Sequence, residues 1–197
     1  MGSKGFPLKN RSLFKYTADS LSSIDPGKII VSTDDEQIKK MATDLGFCVQ
    51  HRSQKNSDDF ASLKSVVLEV SEDFDLSNKT VHLLYLTYPQ RTFEDIQKAR
   101  KFFDQTNANS LLCKKEAKTH PYLCFENLEN NKARPIINHQ LFRRQDYPSC
   151  FEVSHFISIF KSKELPFLKD QLYNDETVFF EIEDKIDVDY EQDFLKL

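Results

Sequence analysis

Lys28-Ile29-Ile30-Val31-Ser32-Thr33-Asp34-Asp35-Glu36-Gln37-Ile38 holds the change of rhythm that decides the fold. Its first half is a β-branched apolar run, the pattern of a strand covered on both faces. Its second half supplies a capping residue and first-turn acids, followed by Ile38, Met41, Ala42 and Leu45 at helical spacing and a stop at Gly46. A strand therefore passes straight into a helix. Asp25-Pro26-Gly27 is the turn before it, and Phe14 to Ser23 has helical spacing further upstream.

The same cycle continues downstream. Phe47-Cys48-Val49 reads as a short strand, residues 50–58 as polar loop and residues 59–74 as a helix with Leu63, Val66, Val67 and Val70 on one face. Residues 80–86 read as a buried strand. Thr92-Phe93-Glu94-Asp95 resembles a capping box opening a helix through Ile96, Ala99 and Phe103. Residues 110–114, 151–160 and 178–182 are further strands. Strand–helix alternation at this spacing predicts an α/β fold with a mainly parallel sheet and helices on both faces. The single domain spans residues 1–197, and the less periodic stretch 116–148 reads as a protruding lobe.

Composition narrows the function. A net charge of −4, from 27 basic and 31 acidic residues, argues against a general nucleic-acid binder. No apolar run approaches the ~20 residues of a membrane span, and no signal peptide opens the chain, so a cytoplasmic location is expected. Cys48, Cys113, Cys124 and Cys150 form no C-x-x-C pair and read as buried free thiols.

Several stretches could carry chemistry. Gly2-Ser3-Lys4-Gly5-Phe6-Pro7-Leu8-Lys9-Asn10 offers glycines, a hydroxyl and two lysines to an anion, without Walker A spacing. Taken alone, it reads better as a basic terminus. Asp187-Val188-Asp189 would place two carboxylates on one side of an extended segment. Their repulsion is relieved by a divalent cation, and magnesium suits a site with few carboxylates plus water and substrate phosphate. A solvated acidic tail is the competing reading, because Glu181, Glu183, Asp184, Glu191 and Asp193 are close by. Arg143-Arg144-Gln145-Asp146 is either a fork for anions or a surface turn. Thr87 to Arg91 follows a buried strand, where open α/β sheets bind ligands. His51, His82, His120, His139 and His155 show no metal spacing and read as structural.

In this order, the segments resemble the acylneuraminate (sialic-acid-type) cytidylyltransferases. The Gly2–Asn10 stretch is similar to the end of that family's nucleotide loop, A-R-G-G-S-K-G-I-P-x-K-N. Residues 31–38 resemble V-S-T-D-D-E-E-I, and Asp59-Phe60-Ala61-Ser62 resembles D-T-A-S. Residues 86–92 parallel Q-P-T-S-P-L-R-T, and Arg144-Gln145-Asp146-Tyr147-Pro148 is similar to R-Q-x-x-P. Residues 186–194 resemble I-D-I-D-T-E-E-D-F.

The resemblance implies a three-layer nucleotide-diphospho-sugar transferase-like fold and a homodimer built through the lobe. It implies coupling of CTP to a nine-carbon 2-keto sugar acid, giving a CMP-sugar and pyrophosphate. Carried over by position, Ser3, Lys4, Lys9 and Asn10 would contact the nucleotide, with Lys4 and Lys9 as the catalytic cations. Ser62 and Thr87 would line the cytidine pocket, Arg144 and Gln145 the sugar side, and Asp187 and Asp189 would hold Mg²⁺. The family's first strand and the arginine before its glycine loop have no counterpart ahead of Met1-Gly2-Ser3. Tyr85 stands where the family often has a base-contacting glutamine. Glu152 and Ser154-His155 stand where sialic-acid members have arginine and Asn-Gly. A glutamate facing an anionic sugar points to a relative such as legionaminic or pseudaminic acid. Two alternatives remain at this stage: a weakly active or inactive nucleotide-binding remnant, and a D-x-D metal-dependent glycosyltransferase.

Overall fold

The computed structural model describes residues 7–8, 11–58 and 60–197. β1 (Pro7–Leu8) and β2 (Arg11–Ser12) form a small antiparallel pair ahead of α1 (Leu13–Ser20). β3 (Ile30–Thr33), α2 (Glu36–Asp44) and β4 (Cys48–His51) form a parallel β-α-β unit. Then come α3 (Leu63–Asp73), β5 (Thr80–Leu83), α4 (Phe93–Thr106) and β6 (Ser110–Glu116). The hairpin β7 (Phe125–Asn127) and β8 (Ala133–Pro135) precedes β9 (Phe151–Lys161) and β10 (Val178–Glu181).

The main sheet has the order β10-β6-β9-β5. β10 is parallel to β6, and β9 is antiparallel to both β6 and β5. Three of its strands therefore share one direction, and β9 runs against them. The reversal follows from the long excursion between β6 and β9, which brings the chain back at the end it left.

Period-2 alternation sorts side chains to the two faces. His82 and Ile159, paired across β5 and β9, point toward α4, which buries Ile96, Ala99 and Phe103 against Leu111, Cys113 and Ile159. The next pair, Val81 and Phe160, points the other way, onto Val67 of α3 and Leu165, Leu168 and Leu172. The expected three layers result. β6 is covered on both sides, with Leu111, Leu112 and Cys113 at most 1% exposed. Each such apolar side chain contributes roughly 1.5–3 kcal/mol by leaving water.

Helix ends follow the sequence cues. Thr92 Oγ1 accepts from Asp95 N–H at 3.2 Å while Thr92 N–H donates to Asp95 Oδ2 at 2.9 Å, closing the capping box of α4. Asp35 Oδ1 caps α2 by accepting from Gln37 N–H at 2.7 Å and Ile38 N–H at 3.1 Å. Gly46, just beyond that helix, has φ of 75°, a conformation that favours glycine.

Three expectations need correction. β3 is not covered on both faces: Ile30 and Val31 are only half-buried. Its sole described ladder is with β4, and β5 bonds only to β9. Among the described residues no strand joins the two sheets. Gln50 belongs to β4 rather than to a polar loop, and is 2% exposed because its amide accepts from Ser32 and donates to the His51 carbonyl. The four thiols are free, but only Cys113 is buried.

Candidate active site

The loop after β5 and the segment after β10 come together. Val188 N–H donates to Thr87 O at 2.9 Å, and Ile186 N–H donates to Gln90 Oε1 at 3.1 Å. Val188 is 0% exposed. This burial argues against a free acidic tail: the valine is anchored inward, Asp187 has a buried oxygen, and Asp189 is exposed beside it. Asp193 Oδ2 accepts from the N–H groups of Asp189 and Tyr190, fixing the chain just beyond the pair.

A polar cluster surrounds Asp187. The Tyr88 and Ser154 hydroxyls share a hydrogen bond of 3.2 Å, and the Tyr85 ring packs on His155 with centroids 5.2 Å apart. Burial raises the Tyr85 phenol well above its ordinary range, with Tyr88 and Asp187 adding to the effect. Tyr88 is raised in the same direction, chiefly by burial. Burial lowers His155, and the charge of Asp187 opposes that. Asp189 is raised by burial, then by Asp187 and Asp193. Asp187 Oδ1, Tyr85 Oη and His155 Nδ1 are buried atoms without a hydrogen-bond partner among the described residues. A buried polar atom left without a partner costs roughly 1–3 kcal/mol, so such a cluster calls for a ligand or solvent.

The carboxylates fit a divalent cation in this sense. Asp187 presents an unpaired oxygen, and Asp189 carries the electrostatic strain of a like charge nearby. No group of three or more His, Cys, Asp or Glu is arranged for a metal among the described residues. An ion here would complete its shell with water and substrate phosphate, as magnesium does.

The other expected residues fall in different places. Ser3, Lys4, Lys9 and Asn10 lie outside the described residues, as does Asp59. Ser62 is the N-cap of α3, its hydroxyl accepting from Ser65 N–H at 3.1 Å. Thr87 contributes the carbonyl that holds Val188. Arg144 and Gln145 are exposed in a short 3-10 turn, while Arg143 pairs with Asp146 at 2.9 Å. Arg144 borders an open cleft that also touches Lys114, Lys115 and Tyr147. The Glu152 carboxylate is engaged by neighbouring donors. It accepts from Lys118 N–H at 2.9 Å and lies 3.8 Å from the Lys115 ammonium, so the repulsion expected toward an anionic sugar is offset.

A second polar group sits at the carboxyl ends of β3 and β4. Arg52 Nη2 donates to Ser32 O at 2.7 Å and Nε donates to Ser32 Oγ at 3.2 Å. Burial lowers the Arg52 pKa, opposed by Asp34 and Glu69. No local pattern marks Arg52. For Tyr88 and Arg91 the signal was their position after a strand; for His155 there was none beyond its neighbour Ser154.

A family model described as cytidylyltransferase matches residues 1–196. The chain belongs to the cytidylyltransferase family. Among its relatives is "Post-translational flagellin modification protein B" of Campylobacter coli, 26% identical over 193 residues, covering 94% of this chain and 77% of that protein. The fold is shared with a CMP:2-keto-3-deoxy-manno-octonic acid synthetase complexed with CTP. That match has a TM-score of 0.67 at 12% identity and covers 98% of this chain and 89% of the other. It is also shared with 4-diphosphocytidyl-2C-methyl-D-erythritol synthase from Anaerococcus prevotii, at a TM-score of 0.65 and 13% identity over 98% and 90% of the two chains. The cytidylyltransferase thus has the nucleotidyltransferase architecture. Among the described residues no helix is long and apolar enough to cross a membrane.

Proposed function

We propose that this cytidylyltransferase couples CTP to a nine-carbon 2-keto sugar acid of the sialic, legionaminic or pseudaminic type, releasing pyrophosphate. The observation that carries this reading is the anchored acidic segment: Val188 buried and bonded to Thr87 O, with the unpaired Asp187 oxygen beside Tyr85 and His155. Asp187 and Asp189 would hold Mg²⁺. When bound, the ion neutralises charge on the phosphates and on departing pyrophosphate. Ser3, Lys4, Lys9 and Asn10 would bind the nucleotide, with Lys4 and Lys9 facing the phosphates. Ser62 and Thr87 belong on the cytidine side, and Arg144 and Gln145 on the sugar side.

In the reaction, the anomeric hydroxyl of the sugar acid attacks the α-phosphorus. It loses its proton as the new P–O bond forms and the α–β anhydride bond breaks. Little covalent chemistry falls to side chains, so positioning and electrostatics dominate. The lobe exposes Phe125 (58%), Ile136 (65%) and Phe142 (96%), and we assign this apolar surface to a homodimer.

The test is Mg²⁺-dependent pyrophosphate release with CTP and each of N-acetylneuraminic, legionaminic, pseudaminic and 2-keto-3-deoxy-octonic acids. Release with a nine-carbon acid and CTP together is the expected result. Release only with the eight-carbon acid overturns the substrate class. No release with any acid overturns the activity, and the divided sheet then favours a chain that binds nucleotide without turning it over.

A further inference from the structure

Arg91 is 3% exposed, yet its acceptors are two carbonyls and a hydroxyl rather than a carboxylate. Nη1 donates to Phe156 O on β9 at 2.8 Å. Nη2 donates to Tyr85 O at 2.7 Å and to Thr17 Oγ1 on α1 at 3.1 Å. The guanidinium carbon lies 5.8 Å from the Phe156 ring centroid, and Nε has no hydrogen-bond partner among the described residues. Burial lowers its pKa to about 10, so it is charged at neutral pH. A buried charge held by neutral acceptors, with Asp95 acting on it only at a distance, is costly, and this one is kept where three separate chain segments meet.

Those segments belong to different halves of the molecule. Thr17 sits on the helix whose Phe14 and Ala18 pack on Ile38, Ala42 and Val31 of the β3–β4 unit. Phe156 and Tyr85 belong to the main sheet and its loop. That loop closes through Arg91 N–H to Tyr88 O at 3.2 Å, leaving Thr87 O for Val188 N–H. No described strand joins the two sheets; the halves meet through apolar packing at Leu21 and Leu86 and through the Arg91 hydrogen bonds. We infer that Arg91 is a positioning residue that sets the β3–β4 unit in register with the Asp187–Asp189 segment. Only a planar fork reaches acceptors in these directions; a lysine ammonium has the charge without the span.

Amide hydrogen exchange on the full chain tests this without substrate. The variants are Arg91→Lys, Thr17→Val and, as a control in the same sheet, Ile159→Val. In Arg91→Lys, exchange at Val188 and along α1 should rise about tenfold beyond the change in β6 and β9. Thr17→Val, which removes one acceptor, should raise exchange in α1 about threefold, and it carries the test if Arg91→Lys does not fold. Uniform acceleration matching Ile159→Val overturns the inference. A second readout rests on the proposed function: in pyrophosphate release, the half-saturating Mg²⁺ concentration should rise about tenfold in Arg91→Lys and stay unchanged in Ile159→Val. If no sugar acid supports turnover, the exchange result still decides the role of Arg91. An unchanged Mg²⁺ requirement in an active Arg91→Lys overturns it.

Discussion

The acidic pair and the Ser32–Gln50–Arg52 group both sit at the carboxyl ends of parallel strands, but the sheets beneath them differ in support. β6 and β9 are hydrogen-bonded on both edges, and Ile157 and Ile159 are 0% exposed. β3 has one described ladder, and its apolar side chains are half-buried. The short β-branched run of β3 thus makes a lightly held unit, whereas the apolar β6 and the longer β9 make a well-supported platform. What differs is the number of neighbouring strands, and therefore how much backbone and side chain each strand withdraws from water. The carboxylates rest beside the main sheet, and the Ser32–Gln50–Arg52 group rests on the lighter unit.

The largest expected effect probes the carboxylate side. Asp187→Asn keeps the shape and removes the charge beside the unpaired oxygen. Mg²⁺-dependent pyrophosphate release should fall on the order of 10³-fold, while the melting temperature stays within a few degrees of wild type. Unchanged turnover would remove that aspartate from the mechanism.

Stability measurements sharpen the contrast between the sheets. Ile159→Ala opens a cavity in the fully buried core and should cost about 3–4 kcal/mol in denaturant unfolding. Val31→Ala removes a half-buried side chain and should cost about 1–2 kcal/mol, because solvent already reaches part of it. Equal costs would mean that β3 is as well supported as β9.

The sequence made the rigid half easiest to read. Residues 110–114 and 151–160 are long enough and apolar enough to declare covered strands, and Thr92–Asp95 announced a capping box that the backbone geometry bears out. Asp187-Val188-Asp189 showed its spacing but not its anchor. The Val188 bond to Thr87 joins residues a hundred positions apart, and no local pattern encodes it. The Tyr85–His155 packing and the Arg91 junction were hidden for the same reason: each is a contact between distant segments. The half-burial of β3 was hidden too, since a side-chain pattern reports which faces want cover and not whether a neighbouring strand is present.

Acid titration gives an intermediate effect on the rigid sheet. His82 on β5 faces α4, with Nε2 3.4 Å from Arg100 Nη1, and Arg100 is in turn paired with Asp104 at 2.8 Å. Burial, then Arg100, lowers its pKa from 6.5 to about 4, with Asp104 opposing. The unfolded chain therefore takes up a proton below about pH 6.5 that the folded chain refuses until about pH 4. Stability falls across that window and is unaffected by this group above it. The loss approaches on the order of 3 kcal/mol at the acid end. His82→Val should make the unfolding free energy less steep between those limits, leaving the slope due to His155, whose pKa burial also lowers, and to the carboxylates. An identical slope in both proteins would show that the imidazole is protonated in the fold.

The smallest effect returns to the lighter unit. Asp35 accepts from two N–H groups at the start of α2, and that helix covers β3 and β4 through Ile38 and Ala42. Asp35→Ala should cost about 1 kcal/mol by leaving those donors to water. Thr92→Ala breaks a comparable cap on α4, which is clamped to the main sheet by Ile96, Ala99 and Phe103. Global stability should drop by similar amounts in the two variants. Amide exchange should separate them. In Asp35→Ala the protection lost should spread through β3 and β4, because few other contacts hold that unit. In Thr92→Ala it should stay within the first turn of α4, because the sheet beneath does not depend on the cap. If both losses stay local, the β3–β4 unit is held as firmly as the rest, and the contrast between the two sheets is one of burial alone.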